Sequence, residues 1–255
     1  MPRPLILVTN DDGMFAPGIK ALIEVASELG EIVVVAPDSP QSGQGHAITL
    51  TEPLRINKVD VFPGIEAYEC SGTPVDCVKI AKNVILKNRK IDFCVSGVNH
   101  GSNASINIIY SGTMSAAMEA SIEGIPSIGF SYLDYSFEAN FSAVKYYAKQ
   151  IISKCLDARL GQTMLLNVNI PILKQKKIKG IKICKQAKGT WTEEFMEAKD
   201  PRDQTYYWLT GSFKVQSDDQ DTDIWALDNG YISVVPCIHD LTNHAAISSF
   251  RDLEI

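Results

Sequence analysis

The stretch that decides the fold is residues 5–13, which read LILVTNDDG. Its apolar half is typical of a buried strand, and open α/β sheets bind ligands at the carboxyl ends of such strands. Asp11 and Asp12 stand at that end, and Gly13 permits a turn that lets both carboxylates face one point. Adjacent carboxylates repel each other unless a cation or a shared proton neutralises them. The stretch therefore predicts a divalent metal site, with an N-cap for the next helix as the alternative.

Length and composition indicate one large α/β domain. The 255 residues are 45% hydrophobic and 21% charged, as is ordinary for a globular protein with a substantial core. The net charge of -6 argues against a nucleic-acid duplex as partner, because phosphate backbones are bound by basic surfaces. No apolar run reaches the ~20 residues of a membrane span, and the N-terminus lacks a signal peptide's apolar region. The six cysteines form no CxxC pair, which predicts a reduced, cytoplasmic protein without zinc or disulfides.

Strand-like and helix-like apolar patterns alternate along the first part of the chain. This alternation predicts a three-layer, Rossmann-like α/β fold, with a mostly parallel sheet and helices on both faces. We expect a single domain over residues 1–255, with the Rossmann-like core in residues 1–170. The expected strands are residues 4–9, 32–36, 91–96, 128–130 and 163–168, and the expected helices are 17–30, 73–86, one through 116–119, and 141–155. An inserted hairpin is expected from alternation in residues 48–51 and around residues 54–56.

The C-terminal third is expected to form antiparallel strands. Residues 206–235 are rich in aromatic and β-branched side chains, and Asp228-Asn229-Gly230 is a hairpin-turn signal. Residues from about 200 to 255 are expected to form a hairpin extension that serves as an oligomerisation arm. The aromatic segment 206–208 fits an apolar contact surface, although a place in the core is equally consistent with it.

Three polar loops should meet at one edge of the sheet, because each follows a strand of the parallel part. The loops are residues 10–13, 37–46 and 96–113. They bring together four oxygen ligands, from Asp11, Asp12, Ser42 and Asn99. A set made only of oxygens suits a hard cation such as Mg²⁺ or Mn²⁺ and does not suit zinc.

The third loop has the composition of a phosphate-binding turn. Gly97, Gly101 and Gly112 accompany Ser111 and Thr113 just before a predicted helix, where backbone N–H groups and the helix dipole attract phosphate. The alternative is a small-residue turn capped by Ser111 or Thr113. The spacing of a P-loop and that of a dinucleotide site are both missing, which excludes NTPase and dehydrogenase interpretations.

Asp240 and His244 form a candidate catalytic pair near the C-terminus. A histidine beside a metal-bound phosphate can donate a proton to the leaving oxygen or accept one from water. The alternative is a surface pair on one helical turn, which contributes little.

Nine blocks of sequence resemble the signature blocks of the SurE survival-protein family. They occur in the family's order and cover essentially the whole chain. The blocks are residues 8–13 (VTNDDG), 16–19 (APGI), 71–78 (SGTPVDCV), 96–101 (SGVNHG), 110–113 (YSGT), 116–119 (AAME), 222–223 (TD), 230–234 (GYISV) and 240–242 (DLT).

The resemblance implies a metal-dependent nucleotidase that removes phosphate from nucleoside 5′- and 3′-monophosphates, with activity on short polyphosphate in some members. It implies one Mg²⁺ or Mn²⁺ per subunit, held by Asp11, Asp12, Ser42 and Asn99. It also implies homodimers or homotetramers built through the C-terminal arm. The residues expected to bind phosphate or substrate are Asn10, Gly43, Gly97, His100, Gly101, Ser111, Gly112 and Thr113, and those expected to act in catalysis are Asp11, Asp240 and His244.

Two positions depart from the family pattern. Asp203 stands where the family often has glycine after Asp-Pro-Arg, and Met14 replaces a frequent tyrosine or isoleucine. The first change falls in a turn that shapes the oligomer or the pocket rim. Two rival interpretations stay open: a phosphatase in which Asp11 is the covalent nucleophile, and a nucleotide or phosphate sensor without catalysis.

Overall fold

The computed structural model describes residues 3–158, 164–192, 194–216 and 219–254. The strands are β1 (Leu5–Thr9), β2 (Glu31–Pro37), β3 (Ile56–Val59), β4 (Glu66–Cys70), β5 (Phe93–His100), β6 (Ser127–Tyr132), β7 (Leu165–Ile170), β8 (Ile181–Ile183), β9 (Gly189–Thr192), β10 (Phe195–Lys199), β11 (Thr205–Leu209), β12 (Ser212–Val215) and β13 (Ile232–Pro236). The helices are α1 (Pro17–Leu29), α2 (Pro74–Ile80), α3 (Gly112–Ile122), α4 (Ser142–Asp157) and α5 (Asp223–Asp228). Shorter helical turns cover Ala81–Ile85, Ser105–Ile109, Gln175–Lys177 and His244–Leu253.

One mixed sheet organises the described residues. Its strand order is β3-β4-β2-β1-β5-β6-β7-β13-β8, and the run from β4 to β7 is parallel. Helices α1 and α4 pack on one face, and α2 and α3 pack on the other. Side chains of β1 alternate between the two faces, since Ile6 belongs to the α1 side and Leu7 to the α2 side. The expected three-layer, mostly parallel α/β fold is confirmed.

The sheet recruits strands from beyond residue 170. β13 runs antiparallel to β7 and parallel to β8, and α5 packs beside β13. Part of the range 200–255, assigned above to the arm, therefore lies in the main sheet. Two antiparallel pairs outside the main sheet, β9 with β12 and β10 with β11, form a hairpin extension that begins at residue 189, before the expected start near residue 200.

The expected hairpin turn at residues 228–230 is wrong. Residues 223–228 form helix α5, which Thr222 caps by accepting from the Trp225 N–H, and Gly230 follows it at φ +81°. An Asn-Gly pair serves a helix C-terminus as well as a hairpin, because both need a residue at positive φ. The Asn-Gly pair therefore marks the C-terminal end of helix α5 and not the turn of a hairpin.

The inserted hairpin exists, but later in the chain than expected. Residues 47–55 form no strand, whereas β3 and β4 pair in an antiparallel register. In residues 48–51 the Thr49 N–H donates to the Asp76 carboxylate, and the apolar side chains of Ile48 and Leu50 are 47% and 82% exposed, so their alternation with threonine does not mark a strand. Strand β5 also differs from expectation, since it continues past Gly97 to His100.

The aromatic segment 206–208 is exposed and takes no part in the core. Tyr206, Tyr207 and Trp208 lie on β11 and are each at least 40% exposed. This favours the contact-surface interpretation over a place in the core. Within the described ranges, no helix is long and apolar enough to cross a membrane.

Candidate active site

The Asp11–Asp12 turn follows β1 and does not cap the next helix. Helix α1 has Ala16 at its N-cap and Pro17 at its first position, with no side-chain cap. The alternative N-cap role for the aspartates is therefore wrong. The turn is held instead by Asn10, whose Nδ2 donates to the Gly13 carbonyl at 2.9 Å, and by Gly13 itself at φ +94°.

Asp11 is buried against the start of α3. Its Oδ1 accepts a hydrogen bond from the Thr113 hydroxyl, and its side chain is only 2% exposed. A Cβ on Gly112 would come within 2.7 Å of the Asp11 Cβ, so only glycine lets the helix approach this closely. Burial, and then the neighbouring charge of Asp12, raise the pKa of Asp11 from 3.8 to about 6.

Asp12 and Asn99 lie at the neighbouring carboxyl ends of β1 and β5. Burial also raises the pKa of Asp12, although its Oδ2 accepts from the His100 N–H at 3.4 Å. The Asn99 Nδ2 donates to the Gly101 carbonyl at 2.9 Å. This bond fixes the Asn99 amide and leaves its Oδ1 as an available acceptor.

The loop of residues 38–46 is tied down at both ends. The Gln41 N–H donates to the Asp11 carbonyl at 2.7 Å, which places Ser42 beside the aspartate turn. At the far end, His46 Nε2 lies 2.9 Å from Oε2 of the buried Glu119 on α3. This hydrogen bond is the largest cause of a lowered pKa at Glu119, which also pairs with Lys79.

A cavity of about 730 Å³ opens at this edge of the sheet. The sequence-predicted residues that line it are Asp11, Ser42, Gly43, Asn99, His100 and Ser111. The remaining predicted residues of the three loops lie within two positions of these in the chain but do not line the cavity; they are Asn10, Asp12, Gly97, Gly101, Gly112 and Thr113. The expected convergence of three strand-end loops on one edge is therefore present.

The residues of the predicted phosphate-binding turn have three different structural roles. Ser111 is the N-cap of α3, since its Oγ accepts from the Met114 N–H at 3.0 Å, and it also lines the cavity. Thr113 is turned inward to Asp11. Gly97 and Gly112 are contact glycines, since a Cβ on Gly97 would lie 2.3 Å from the Phe130 carbonyl oxygen. The capped-turn alternative thus describes Ser111 correctly, and the hydroxyl proton of Ser111 is still available to a ligand.

His100 lines the cavity with its ring against aromatic side chains. Its ring centroid lies 5.4 Å from that of Phe137 and 5.5 Å from that of Phe141. Burial lowers the pKa of His100, so the imidazole is neutral near pH 7. A neutral imidazole can accept one hydrogen bond and donate another.

Asp240 and His244 are not brought to the cavity within one chain. His244 Nε2 lies 2.7 Å from Asp240 Oδ2, and both side chains are well exposed. The hydrogen bonds from Thr242 and His244 lower the pKa of Asp240. In a single chain this is the surface pair of the alternative interpretation.

Sequence reasoning missed the rim of the cavity. The missed lining residues are Ser102, Asn103, Asn107, Tyr110, Tyr135, Trp191, Glu194, Leu209, Thr210 and Gly211. Asn103 and Asn107 lie inside the small-residue loop already singled out, so their amides could have been noted there. The residues from β9 to β12 reach the rim only through the tertiary fold, for which no local signal exists.

Asp223 clamps the site loop to the C-terminal part of the chain. Its Oδ2 accepts from the Ser105 N–H at 2.8 Å and its Oδ1 from the Ala187 N–H at 2.9 Å. Ser105, at φ +56°, donates its hydroxyl to the Ala187 carbonyl. The Thr222-Asp223 block therefore holds structure around the cavity and does not line it.

The donor set fits a hard divalent cation. Among the described residues no three His, Cys, Asp or Glu side chains gather, so a zinc-type cluster is not found there. The set comprises two carboxylates of raised pKa, an amide oxygen and a hydroxyl, and the buried Asn10 Oδ1 has no hydrogen-bond partner in the described chain. An all-oxygen site for Mg²⁺ or Mn²⁺ is typically built from carboxylates like these, which have no cationic partner among the residues that the structure describes.

Comparisons with known proteins show similarity to a single family. A protein-family model described as survival protein SurE matches residues 6–193. A protein of Cytophaga hutchinsonii named 5′-nucleotidase SurE is 59% identical over 98% of this chain and 97% of its own length. One of Bacteroides fragilis with the same name is 44% identical over 99% of this chain and 98% of its own. The crystal structure of the SurE protein from Aquifex aeolicus matches with a TM-score of 0.86 and 42% identity, over 99% of this chain and all (100%) of that one.

Proposed function

Because this chain belongs to the SurE survival-protein family, we propose that it is a hydrolase, a metal-dependent 5′-nucleotidase that releases phosphate from nucleoside monophosphates. The observation that carries the proposal is the Asp11–Asp12 turn, in which Asp11 is buried and lines the cavity together with Ser42 and Asn99. Curated relatives of similar length bear the name 5′-nucleotidase SurE. Metal dependence, activity on 3′-monophosphates and activity on short polyphosphate are part of the same proposal.

Four side chains would hold the cation: Asp11, Asp12, Ser42 and Asn99. When bound, it would supply positive charge that attracts the phosphate and stabilises the charge that develops during phosphoryl transfer. Burial raises the pKa of both aspartates, and the charge of Asp12 adds to the rise at Asp11. These raised pKa values support the assignment, because a bound cation would stabilise the two charged carboxylates. One ion per subunit is expected, since this edge offers one such set.

The chain's own groups would bind and orient the phosphate. Ser111 can donate its hydroxyl to a phosphate oxygen from the start of α3, where the helix dipole favours negative charge. His100, neutral because burial lowers its pKa, can hold a proton between a ring nitrogen and the substrate. Gly43, which has open space around its Cα, lets a ligand approach the loop backbone closely.

We assign Asp240 and His244 to catalysis only across a subunit boundary. In their own chain they are exposed and lie outside the cavity. An arm that exchanges between two copies would bring them to the partner's site, in a homodimer or homotetramer. The six cysteines, all free thiols, fit the reducing cytoplasm in which we place the enzyme.

The test is phosphate release from a panel of nucleoside 5′- and 3′-monophosphates with added Mg²⁺ or Mn²⁺. We expect release that stops in EDTA, returns with metal, and falls at least 100-fold in Asp12→Asn, because the developing charge loses its counterion. An exposed-site control, Asp60→Asn, should keep full activity.

Two results would redirect the proposal. Protein that binds nucleotide with metal but releases no phosphate would be the sensor, and the enzyme assignment would be abandoned. A phospho-aspartate at Asp11 trapped during turnover would establish Asp11 as covalent nucleophile, against direct attack by water.

A further inference from the structure

Two residues at the rim form a hydrogen-bonded pair that the phosphate chemistry does not use. The Trp191 indole Nε1–H donates to the Asn107 Oδ1 at 2.9 Å. Both side chains line the cavity that also contains Asp11 and Ser42. Trp191 belongs to β9 and Asn107 to the helical turn Ser105–Ile109, so the pair joins two separate parts of the chain.

The indole fixes the orientation of the Asn107 amide. An indole N–H is a donor only, so the amide must turn its oxygen toward Trp191 and its nitrogen away. No hydrogen bond among the described residues uses the Asn107 Nδ2. The amide therefore presents two N–H donors in a defined direction.

Both partners are held in place by their own neighbours. The Trp191 ring contacts the Phe213 ring edge-on, with centroids 5.6 Å apart, across the β9–β12 pair. Gly189 makes room for this contact, since a Cβ there would lie 2.3 Å from the Phe213 ring. The turn that carries Asn107 begins at Ser105, which Asp223 clamps by its N–H. Rigid support of this kind lowers the entropy cost of binding a ligand.

The Asn107–Trp191 pair lies near Ser111, where the proposed function places the phosphate. Asn107 precedes Ser111 by four residues, or about 8 Å at the ~2.0 Å rise per residue of a tight helical turn. The aromatic and apolar lining residues Tyr110, Trp191 and Leu209 offer a surface for a flat ring. A phosphate held at Ser111 leaves this part of the cavity for the rest of the nucleotide.

On the basis of the proposed function, we propose that Asn107 and Trp191 contact the base of the nucleotide. They select nucleotides of the 6-oxopurines guanine and hypoxanthine over those of adenine. A 6-oxopurine presents two adjacent acceptors, N7 and O6, whereas adenine presents the acceptor N7 and the donor N6–H₂. Two N–H donors match the first pattern. The bidentate contact of asparagine with adenine needs a free amide oxygen, and here Trp191 occupies it.

The experiment measures kcat/KM for GMP, IMP and AMP, with ribose 5-phosphate as a base-free substrate. We expect the wild type to favour GMP and IMP over AMP by about tenfold, the size of one well-placed base contact. Asn107→Asp keeps an acceptor for the Trp191 N–H but replaces the two donors with an oxygen. We expect it to lower the GMP-to-AMP ratio about tenfold or to invert the preference.

A second variant and a matched control complete the test. Trp191→Phe keeps an aromatic ring but frees the amide to rotate, and we expect the ratio to move toward one. Asn57→Asp makes the same chemical change at an exposed position of β3 and should leave the ratio unchanged.

The possible failures are distinguishable. If the wild type hydrolyses all four substrates with a GMP-to-AMP ratio within twofold of one, the inference is overturned and the proposed function stands. An Asn107→Asp ratio that equals that of Asn57→Asp also overturns the inference. If no monophosphate, ribose 5-phosphate included, releases phosphate, it is the proposed function that fails.

Discussion

At the scale of single residues, the gathering of the four proposed ligands, Asp11, Asp12, Ser42 and Asn99, could be predicted from where they stand in the chain. Asp11, Asp12 and Ser42 follow β1 and β2, and Asn99 lies near the end of β5. The carboxyl ends of parallel strands meet at one edge of the sheet. What could not be predicted is which loop residues turn inward. Thr113 binds Asp11 and Ser111 caps α3, and only the packed helix decides between these roles.

Without metal, we expect the wild-type protein to be less stable than the Asp11→Asn variant. The pKa of Asp11 is about 6 in the folded protein against an ordinary value of 3.8, so the folded state favours the protonated form. Its contribution to stability is therefore lost as the pH rises from about 4 through about 6. In EDTA, we expect Asp11→Asn to raise the free energy of unfolding by up to about 3 kcal/mol at pH 7, and far less at pH 4.

Urea unfolding of both proteins across this pH range measures the difference. Asparagine keeps an acceptor for the Thr113 hydroxyl, so the comparison isolates the charge. With excess Mn²⁺ the order should reverse, because only the wild type gains the binding free energy of the ion. A difference that does not vary with pH would contradict the account of Asp11.

The departure at Asp203 affects a turn and leaves the cavity untouched. Asp203 sits at φ +63°, a conformation that glycine adopts more easily, and Asp200 Oδ1 accepts from the Arg202 and Gln204 N–H groups across the same turn. Leu209, which lines the cavity, pairs with Phe195 at the opposite end of this hairpin. The substitution therefore does not reach the proposed base-binding residues.

At the scale of elements, helices with strong local signals could be predicted almost to their ends. Pro17 and Gly30 bracket α1, and Thr73 and Asp76 form a capping box at the start of α2. The errors fell where one local signal serves two structures, as at residues 228–230. The extension of β5 to His100 depends on pairing with β6, which a local pattern does not contain.

At the scale of the whole molecule, the strand pair β10–β11 exposes several large apolar side chains to solvent in the single chain. Phe195, Tyr207, Trp208 and Leu209 are each more than half exposed on β10 and β11. Phe195, Tyr207 and Leu209 lie on one face of this strand pair and Trp208 lies on the other, and exposed apolar side chains of this size favour a protein–protein contact. We propose that these side chains are covered when arms exchange between subunits, which the proposed catalytic role of Asp240 and His244 requires.

Mixing two inactive variants tests this exchange. Asp11→Asn damages the cavity and His244→Asn damages the arm, so a mixed dimer contains one site with both natural residues if arms exchange. After co-refolding of equal amounts, we expect roughly a quarter of wild-type phosphate release, since half of the dimers are mixed and each has one intact site.

Each variant refolded alone is the control for this experiment, and both should stay near background. Mixtures that never exceed the sum of the two variants would show that each site uses its own chain. In that case Asp240 and His244 would have no catalytic role across subunits.

The most direct test of the central claim is the equilibrium binding of Mn²⁺, followed by the electron paramagnetic resonance signal of the free ion. We expect one ion per wild-type chain and an affinity lowered at least tenfold in both variants, because Asp12→Asn replaces a carboxylate with a neutral amide oxygen and Asn99→Leu removes an oxygen ligand. Asp60→Asn, at an exposed position, should bind like the wild type. No bound ion in the wild type, or equal affinity in Asp12→Asn, would contradict the claim that this edge of the sheet is a metal centre.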